Sequence, residues 1–351
     1  MSGRFAGRPW LIMAGLLLQG WVSAAENSEA AQIIAPASQA YSLLQPFHEA
    51  ASGRRQAIYH PGLLTTAVAD GFRISAVLDG YPAHQAGLRR GDLLIEVDGQ
   101  PFHPRDSFTV PAGNTVTATV VRTVQLQFQR NGERQTTTLE IVRENLYDAF
   151  RTATLNSAQQ FSNGNKVIGY VRLWSLDRTA GGLQAYRQLL ASLAHCDGLI
   201  VDVRDSYGFI NAQHLDVFFP NRSRYFQVDG GHADLWQSRQ PVPQADDYYD
   251  RAVVVMQNSG TRGGMELFAY QLAKLQRIVS VGQATAGKAG QVTVNEDGAL
   301  LYLPAPALTV DGIRLEATGF SPEQPVVYPL NESAPNDPQF EAAMMTLMQI
   351  M

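Results

Sequence analysis

The sequence predicts an α/β protein of two domains, preceded by a helical segment. Three observations predict this class. Residues 58–145 hold short runs of alternating polar and apolar residues separated by turn residues, which indicates a β-rich domain. From 146 to 330, apolar strands alternate with amphipathic helices, which indicates a larger α/β domain. The chain has 351 residues and is 45% hydrophobic, so it can bury two cores.

Residues 1–25 have the pattern of a secretory signal peptide. Arg4 and Arg8 give a positive start, residues 11–22 form a short apolar run, and Ser23-Ala-Ala25 provides small residues for cleavage. The apolar run is too short to span a membrane, and no second run of sufficient length follows. We therefore expect a periplasmic or secreted bacterial protein without a membrane anchor after signal cleavage.

The composition narrows the expected partners and cofactors. Loss of Arg4 and Arg8 with the signal moves the net charge from −5 to −7, and an acidic surface argues against nucleic acid as a partner. The single Cys196 excludes an internal disulfide, and its place before an apolar strand favours a small buried side chain. The histidines lack metal-ligand spacing and no phosphate-binding glycine loop is present, so we expect neither a metal nor another cofactor.

The segment 26–57 precedes the first domain. Its first part, 26–37, has the small and polar composition of a tether. Residues 38–57 carry a helical pattern, with Tyr41, Leu44 and Phe47 on one side. This helix and the closing helix at 338–351 are candidate surfaces for a homo-oligomer.

The β-rich domain, 58–145, contains one specific motif. It runs from Tyr81-Pro-Ala-His-Gln-Ala-Gly-Leu88 to Gly91-Asp-Leu-Leu-Ile-Glu-Val-Asp-Gly99, and a hairpin with an Asn131-Gly132 turn follows. The motif resembles that of PDZ domains, which bind an extended C-terminal peptide as an added strand. The resemblance implies that Gly62-Leu63-Leu64 holds the peptide carboxylate. The alternative is an ordinary turn with a core leucine.

The α/β domain, 146–330, contains four predicted strands and two helices. The strands are 167–173, 198–204, 252–256 and 278–281, and the helices are 181–194 and 265–275. The strand at 198–204 is apolar on both faces, as expected inside a parallel sheet. Residues 331–351 are predicted to close the chain with a Met-rich helix.

Several runs of this domain resemble C-terminal processing peptidases, also called tail-specific proteases. They include Gly198-Leu-Ile-Val-Asp-Val-Arg204, Glu316-Ala-Thr-Gly-Phe-Ser-Pro-Glu-Gln-Pro-Val326 and Asn336-Asp-Pro-Gln-Phe340. The order of the runs matches that family from the tether onward. The resemblance implies a PDZ domain joined to a crotonase-like α/β core with serine-type peptidase chemistry.

The family's catalytic serine and lysine fall on two glycine-rich runs of this chain. Alignment on Glu266 places the serine at Gly263 and the lysine at Lys288, at the family's spacing. Glycine has no hydroxyl, so Lys288 has nothing to activate there. A strand-to-helix turn that needs positive φ is a structural reason for the same glycine.

The resemblance also implies the other parts of a peptidase site. Backbone amides near Gly208 and Gly264 would bind the oxyanion. The family's second loop glycine is Phe209 here, and the family's glutamine falls on Val292, with Gln291 one place short. These departures favour relaxed catalytic constraint over a single compensated substitution.

Three hypotheses about function follow. The first is a pseudopeptidase that binds peptide or protein C-termini through its PDZ domain. The second is an active serine-type peptidase that pairs Lys288 with a displaced hydroxyl from Ser259, Thr261 or Ser206. The third is a ligand-binding protein in which both domains have drifted.

Arg262, in place of a small residue, could meet the charge of Asp205 or a peptide carboxylate.

Overall fold

The structure is a computed structural model. It describes residues 31–36, 38–51, 57–104, 106–109, 120–176, 179–208, 210–220, 228–229, 248–305, 309–331 and 335–351. The predicted signal peptide and Phe209 lie outside the described residues.

The N-terminal segment contains one short strand and one helix, β1 (Gln32–Ile33) and α1 (Gln39–Ala51). β1 lies in the segment that was predicted to be a tether. It is a strand because its backbone pairs with a strand far along the chain, and composition cannot reveal such a pairing. α1 agrees with the predicted helix in its first 13 residues, and residues 52–56 lie outside the described part. Leu43 and Leu44 face inward and are buried.

The β-rich domain is built on one antiparallel sheet. Its elements are β2 (Ile58–His60), β3 (Leu63–Val68), β4 (Gly71–Val77), α2 (Pro82–Gln85), β5 (Leu93–Val97), β6 (Gln100–Pro101), β7 (Val120–Arg130) and β8 (Glu133–Glu144). The strand order is β2-β8-β7-β5-β4-β3, and β6 pairs with β5. The predicted hairpin is confirmed, since Asn131 and Gly132 both have positive φ as a two-residue turn of this kind requires.

The two faces of this sheet contact different parts of the protein. One face holds the domain's own core, which includes Ile74, Leu94, Val97, Leu126 and Phe128. The other face contributes a second cluster that also contains residues of α1 and of the α/β domain, namely Leu43, Leu44, Leu64, Ala76, Leu78, Phe150 and Trp174. The shared cluster packs the β-rich domain against the rest of the chain.

The α/β domain begins after β8. Its elements are α3 (Leu146–Asn156), β9 (Gln159–Asn163), β10 (Lys166–Arg172), β11 (Ser175–Leu176), α4 (Ala180–Ser192), β12 (Gly198–Asp202), β13 (Tyr207–Gly208), α5 (Ala212–Leu215), β14 (Val228–Asp229), β15 (Ala252–Gln257), β16 (Arg262–Gly263), α6 (Gly264–Leu272), β17 (Ile278–Gly282), β18 (Gln291–Val294), β19 (Leu300–Leu303), β20 (Thr309–Val310), β21 (Ile313–Arg314), β22 (Gln324–Pro325) and α7 (Pro338–Ile350). All four predicted strands and both predicted helices of this domain are present, with ends shifted by a few residues.

A six-stranded sheet forms the centre of the domain, in the order β22-β17-β15-β12-β10-β9. All neighbours pair in parallel except β9, which is antiparallel to β10. Alternate side chains of β12 enter different clusters, Leu199 and Val201 on one face and Ile200 on the other. Both faces are therefore covered, as the apolar pattern of this strand predicts.

The closing helix α7 covers the face of the six-stranded sheet to which Ile200 points. Pro338 is its first residue, and the Asp337 carboxylate accepts hydrogen bonds from the amides of Gln339 and Phe340. Ala342, Ala343 and Leu347 are buried against the strands. None of the described helices is both long and apolar enough to cross a membrane.

Candidate active site

The site predicted from the sequence lies where a three-stranded layer meets the start of α6. This layer has the order β11-β13-β16, and its strands are parallel. Gly208 pairs with Gly263, and Tyr207 pairs with Arg262. The fold therefore brings together two glycines whose motifs are far apart in the sequence.

Gly263 has the backbone conformation of a tight strand-to-helix turn. Its φ is 60° and its ψ is −132°, and it precedes the first residue of α6. L-residues rarely adopt this conformation, so glycine is favoured here. The Gly263 amide donates to the Lys288 carbonyl at 3.1 Å, so the two predicted catalytic positions are backbone neighbours.

Tyr207 fills the space beside Gly263. A Cβ atom on Gly263 would lie 2.6 Å from Tyr207 Cε2, closer than real Cβ contacts, and 3.0 Å from Cδ2. The ring is buried and packs in the cluster that contains Trp174 and Leu300. Tyr207 was not among the site residues predicted from the sequence, because no pattern within one segment indicates that its ring lies beside Gly263.

Lys288 reaches a neutral partner. Its Nζ donates to Gln32 Oε1 at 3.0 Å and lies 4.8 Å from the centre of the Tyr302 ring. Gln32 belongs to β1, which pairs with β19. Composition placed Gln32 in a tether, so its contact with the predicted catalytic lysine could not be foreseen.

Glu266, on α6, holds the loop that carries Lys288. Its carboxylate accepts from the Thr285 hydroxyl at 2.7 Å and from the amides of Gly287 and Lys288, each at 2.8 Å. The side chain is fully buried. Burial raises the pKa of Glu266 to about 7, against the opposing effect of these hydrogen bonds and of Arg262.

Arg262 is a half-buried cation at the same site. Burial lowers its pKa, while the nearby charges of Glu266 and Asp205 oppose that effect. Its guanidinium makes no hydrogen bond or ion pair with any residue the structure describes. Arg262 thus lies within reach of the charge of Asp205, while Asp205 forms its ion pair with Arg172, with Nη2 and Oδ2 3.3 Å apart.

Two of the three candidate hydroxyls have structural partners. Ser206 and Thr261 are fully buried, and both donate to the carbonyl of Val203. Thr261 Oγ1 also accepts from the Asn258 amide at 3.1 Å. Ser259 lies exposed in the turn after β15. Only Ser259 among the three therefore presents its hydroxyl to solvent.

The structure separates Gln291 from the lysine face of the β18–β19 hairpin. Val292 lies directly opposite Tyr302, the residue over which Lys288 Nζ is placed. Successive side chains of a strand point to opposite faces, so Gln291 points away from Tyr302. The glutamine, which the sequence has one place short of the family position, therefore lies on the face of the hairpin opposite to Tyr302.

The predicted carboxylate loop lies at the start of β3. Gly62 has a φ of 84°, and a Cβ atom there would lie 2.4 Å from Tyr81 Cβ. Leu63 is half-buried against the domain core, while Leu64 is 1% exposed in the cluster shared between the domains. The Leu64 side chain therefore packs in the interior.

The fold and the site define a class of protein, a peptidase-type α/β core joined to a PDZ domain. The profile of Peptidase family S41 matches residues 167–326, and that of the PDZ domain matches residues 73–108. The chain therefore contains a Peptidase family S41 domain preceded by a PDZ domain, and it is similar to C-terminal processing proteases.

Two curated relatives are C-terminal processing proteases. The carboxy-terminal-processing protease of Bartonella bacilliformis is 24% identical over 276 residues, which cover 74% of this chain and 59% of the relative. The carboxyl-terminal-processing protease of Synechocystis is 26% identical over 285 residues, which cover 77% of this chain and 64% of the relative. The chain thus spans less than two thirds of the length of either relative.

Solved structures of similar proteins include the photosystem II D1 C-terminal processing protease, at 18% identity and a TM-score of 0.48, covering 90% of this chain and 81% of that one. A putative S41 protease from Bacteroides fragilis has 17% identity and a TM-score of 0.49, covering 85% of this chain and 83% of that one.

Proposed function

We propose that this protein is an exported pseudopeptidase, which binds the C-termini of peptides or proteins through its PDZ domain and does not cleave them. The observation that carries this proposal is the pair Gly263 and Tyr207. The position predicted for the nucleophile has no side chain, and an aromatic ring occupies the space in which one would begin.

The chemistry of the site supports the loss of cleavage. A serine-type peptidase needs a hydroxyl within hydrogen-bond reach of an unprotonated base. Lys288 Nζ is hydrogen-bonded to Gln32 instead. The hydroxyls of Ser206 and Thr261 donate to a backbone carbonyl, so neither is poised as a nucleophile.

The binding half of the proposal rests on the PDZ domain. PDZ domains bind an extended peptide as an added strand and hold its carboxylate with loop amides. The loop Gly62-Leu63-Leu64 keeps the glycine that the close approach to Tyr81 requires. Export rests on the signal-peptide pattern of residues 1–25.

Cleavage of an unfolded protein with an apolar C-terminus tests the catalytic half. The mature chain is compared with Gly263→Ser and with the double variant Gly263→Ser, Tyr207→Ala. We expect no cleavage by the native chain or by the single variant, because the Tyr207 ring overlaps the added side chain. Cleavage by the native chain would overturn the proposal, and loss of that activity in Ser259→Ala would identify the displaced hydroxyl.

Peptide titration tests the binding half. The probe is a fluorescent peptide with apolar C-terminal residues, prepared both as the free acid and as the amide. We expect the free acid to bind about tenfold tighter, the worth of one strong charge-assisted hydrogen bond. Equal or absent binding of the two forms would contradict PDZ recognition and favour a protein whose two domains have drifted.

A further inference from the structure

The chain's own N-terminal strand occupies an edge of the β18–β19 hairpin. Gln32 pairs with Tyr302 and Ile33 with Leu301, both antiparallel. The Ile34 amide donates to the Leu300 carbonyl at 2.9 Å and extends the pairing by one residue. The edge of β19 therefore binds an extended peptide segment through backbone hydrogen bonds, the general mode of strand addition.

This strand has few stabilising contacts. β1 has two residues, both exposed, and the Ile33 side chain retains 71% of its accessible surface. Ile34 is the residue of the segment that packs against the cluster containing Leu300. Segments with few buried apolar contacts open at low free-energy cost. Another extended chain can therefore compete for the same edge.

The charge beside β1 indicates what the competing chain would carry. Gln32 lies directly opposite Tyr302, and its amide oxygen is the acceptor for Lys288 Nζ at 3.0 Å. One cation, the Lys288 ammonium, thus faces a position filled by a neutral amide. A carboxylate there would form a shorter and stronger charge-assisted hydrogen bond.

We propose that the β19 edge beside Lys288 is a second peptide-binding site, with residues 31–34 as its intramolecular occupant. Its external ligand is an extended peptide that pairs with β19 and places an acidic side chain where Gln32 lies. The site is separate from the PDZ loop, so it stands whether or not the PDZ domain binds C-termini. A peptide binds only when β1 leaves, which makes the N-terminal strand a competitive inhibitor.

Two proline substitutions separate the role of β1 from a general disturbance of the segment. Paired residues in an antiparallel ladder alternate between hydrogen-bonded and non-hydrogen-bonded pairs. Because the Ile34 amide bonds to Leu300, the Ile33 amide points away from β19. Ile34→Pro therefore removes a hydrogen bond to β19, while Ile33→Pro keeps it and serves as the matched control.

The probe is a labelled peptide of residues 31–36, Ala-Gln-Ile-Ile-Ala-Pro, with glutamate in place of the glutamine and an amidated C-terminus. Fluorescence anisotropy gives its dissociation constant for the mature chain and each variant. We expect Ile34→Pro to bind it about tenfold tighter than the native chain does, because a displaced competitor raises the population of the open site. Ile33→Pro should match the native chain.

A second comparison tests the charge. In the Ile34→Pro background, the glutamate peptide should bind more tightly than the unaltered glutamine peptide, and Lys288→Met should abolish that difference. Equal affinity of native chain and Ile34→Pro, or a glutamate preference that persists in Lys288→Met, would overturn the proposal. Binding of the free-acid peptide with no binding of the amide would assign the site to a terminal carboxylate and contradict the side-chain placement.

Discussion

The ring of Tyr207 lies 2.6 Å from the point where a Cβ atom on Gly263 would stand. Residues 207 and 263 belong to the parallel neighbours β13 and β16, so the sheet register fixes this approach. The tyrosine and the glycine thus depend on each other. Any side chain at 263 requires the ring to move, and the buried cluster around the ring resists that movement.

This dependence predicts a specific stability difference between two glycine substitutions. Gly263 and Gly164 have φ of 60° and 61°, but a Cβ atom on Gly164 would meet nothing within 4 Å. Gly164→Ala therefore reports the cost of positive φ, and Gly263→Ala adds the cost of overlap with Tyr207. We expect Gly263→Ala to lose about 1–3 kcal/mol more in urea unfolding. In a Tyr207→Ala background this excess should fall, because the part due to overlap is removed, and an excess unchanged there would contradict the overlap.

The buried carboxyl of Glu266 predicts a pH-dependent stability. Burial raises its pKa from 4.5 to about 7, so the folded protein binds a proton more tightly than the unfolded chain does. The associated stability is complete below about pH 4.5 and is lost as the pH rises through 7. The loss is on the order of 3 kcal/mol. Unfolding free energies measured across this window check the expectation.

Two glutamine substitutions identify the group responsible for that pH dependence. Glu266→Gln should remove the component between pH 4.5 and 7, because the amide does not titrate. Glu133, which is exposed, provides the matched control, and Glu133→Gln should keep the native profile. If Glu266→Gln retains the native slope, another group controls this window.

Replacement of the buried cation Arg204 is expected to cause a large loss of stability. Its guanidinium contacts Asp202 at 2.6 Å and Asp337 at 2.7 Å, and it donates to Gln339 at 3.0 Å, which connects the end of β12 to the start of α7. Arg204→Met leaves the buried Asp202 with a weakened set of partners, so we expect a loss of about 3–5 kcal/mol. Chemical denaturation measures it.

The control for Arg204 is a surface pair. Arg187 lies 3.8 Å from Asp216, and its side chain is 48% exposed. Arg187→Met should cost about 0–1 kcal/mol, because solvent screens exposed pairs. Similar losses in the two variants would mean that burial does not set the strength of the Arg204 interactions.

One hydrogen bond predicts how firmly the PDZ domain is attached to the core. The buried Trp174 indole donates to Asp79 Oδ2 at 2.6 Å, which links the α/β domain to the turn after β4. Asp79→Ala leaves the indole N–H without this acceptor, at a cost of about 1–3 kcal/mol. We expect faster hydrogen exchange at the contact between the domains. Asp79→Asn retains an acceptor and should exchange more slowly than Asp79→Ala, so equal rates would contradict this role.

Local patterns were sufficient to predict most elements of the fold. The apolar run at 198–202 is a fully buried central strand, and Asn131-Gly132 forms the hairpin turn that its two residues specify. The pairing of β1 with β19 could not be predicted, because a two-residue strand has no periodicity and its partner lies at the other end of the chain. The ion pair between Asp205 and Arg172 could not be predicted either, because Arg172 comes from a different strand.

The sequence by itself determined the class of the protein and the absence of a serine at position 263, since both are properties of residue identity and order. Only the tertiary structure decided what fills the space beside Gly263 and what Lys288 contacts. Those contacts come from Tyr207 on a neighbouring strand and from Gln32 on β1. Sheet register and chain packing bring such residues together, and neither is encoded in any one segment.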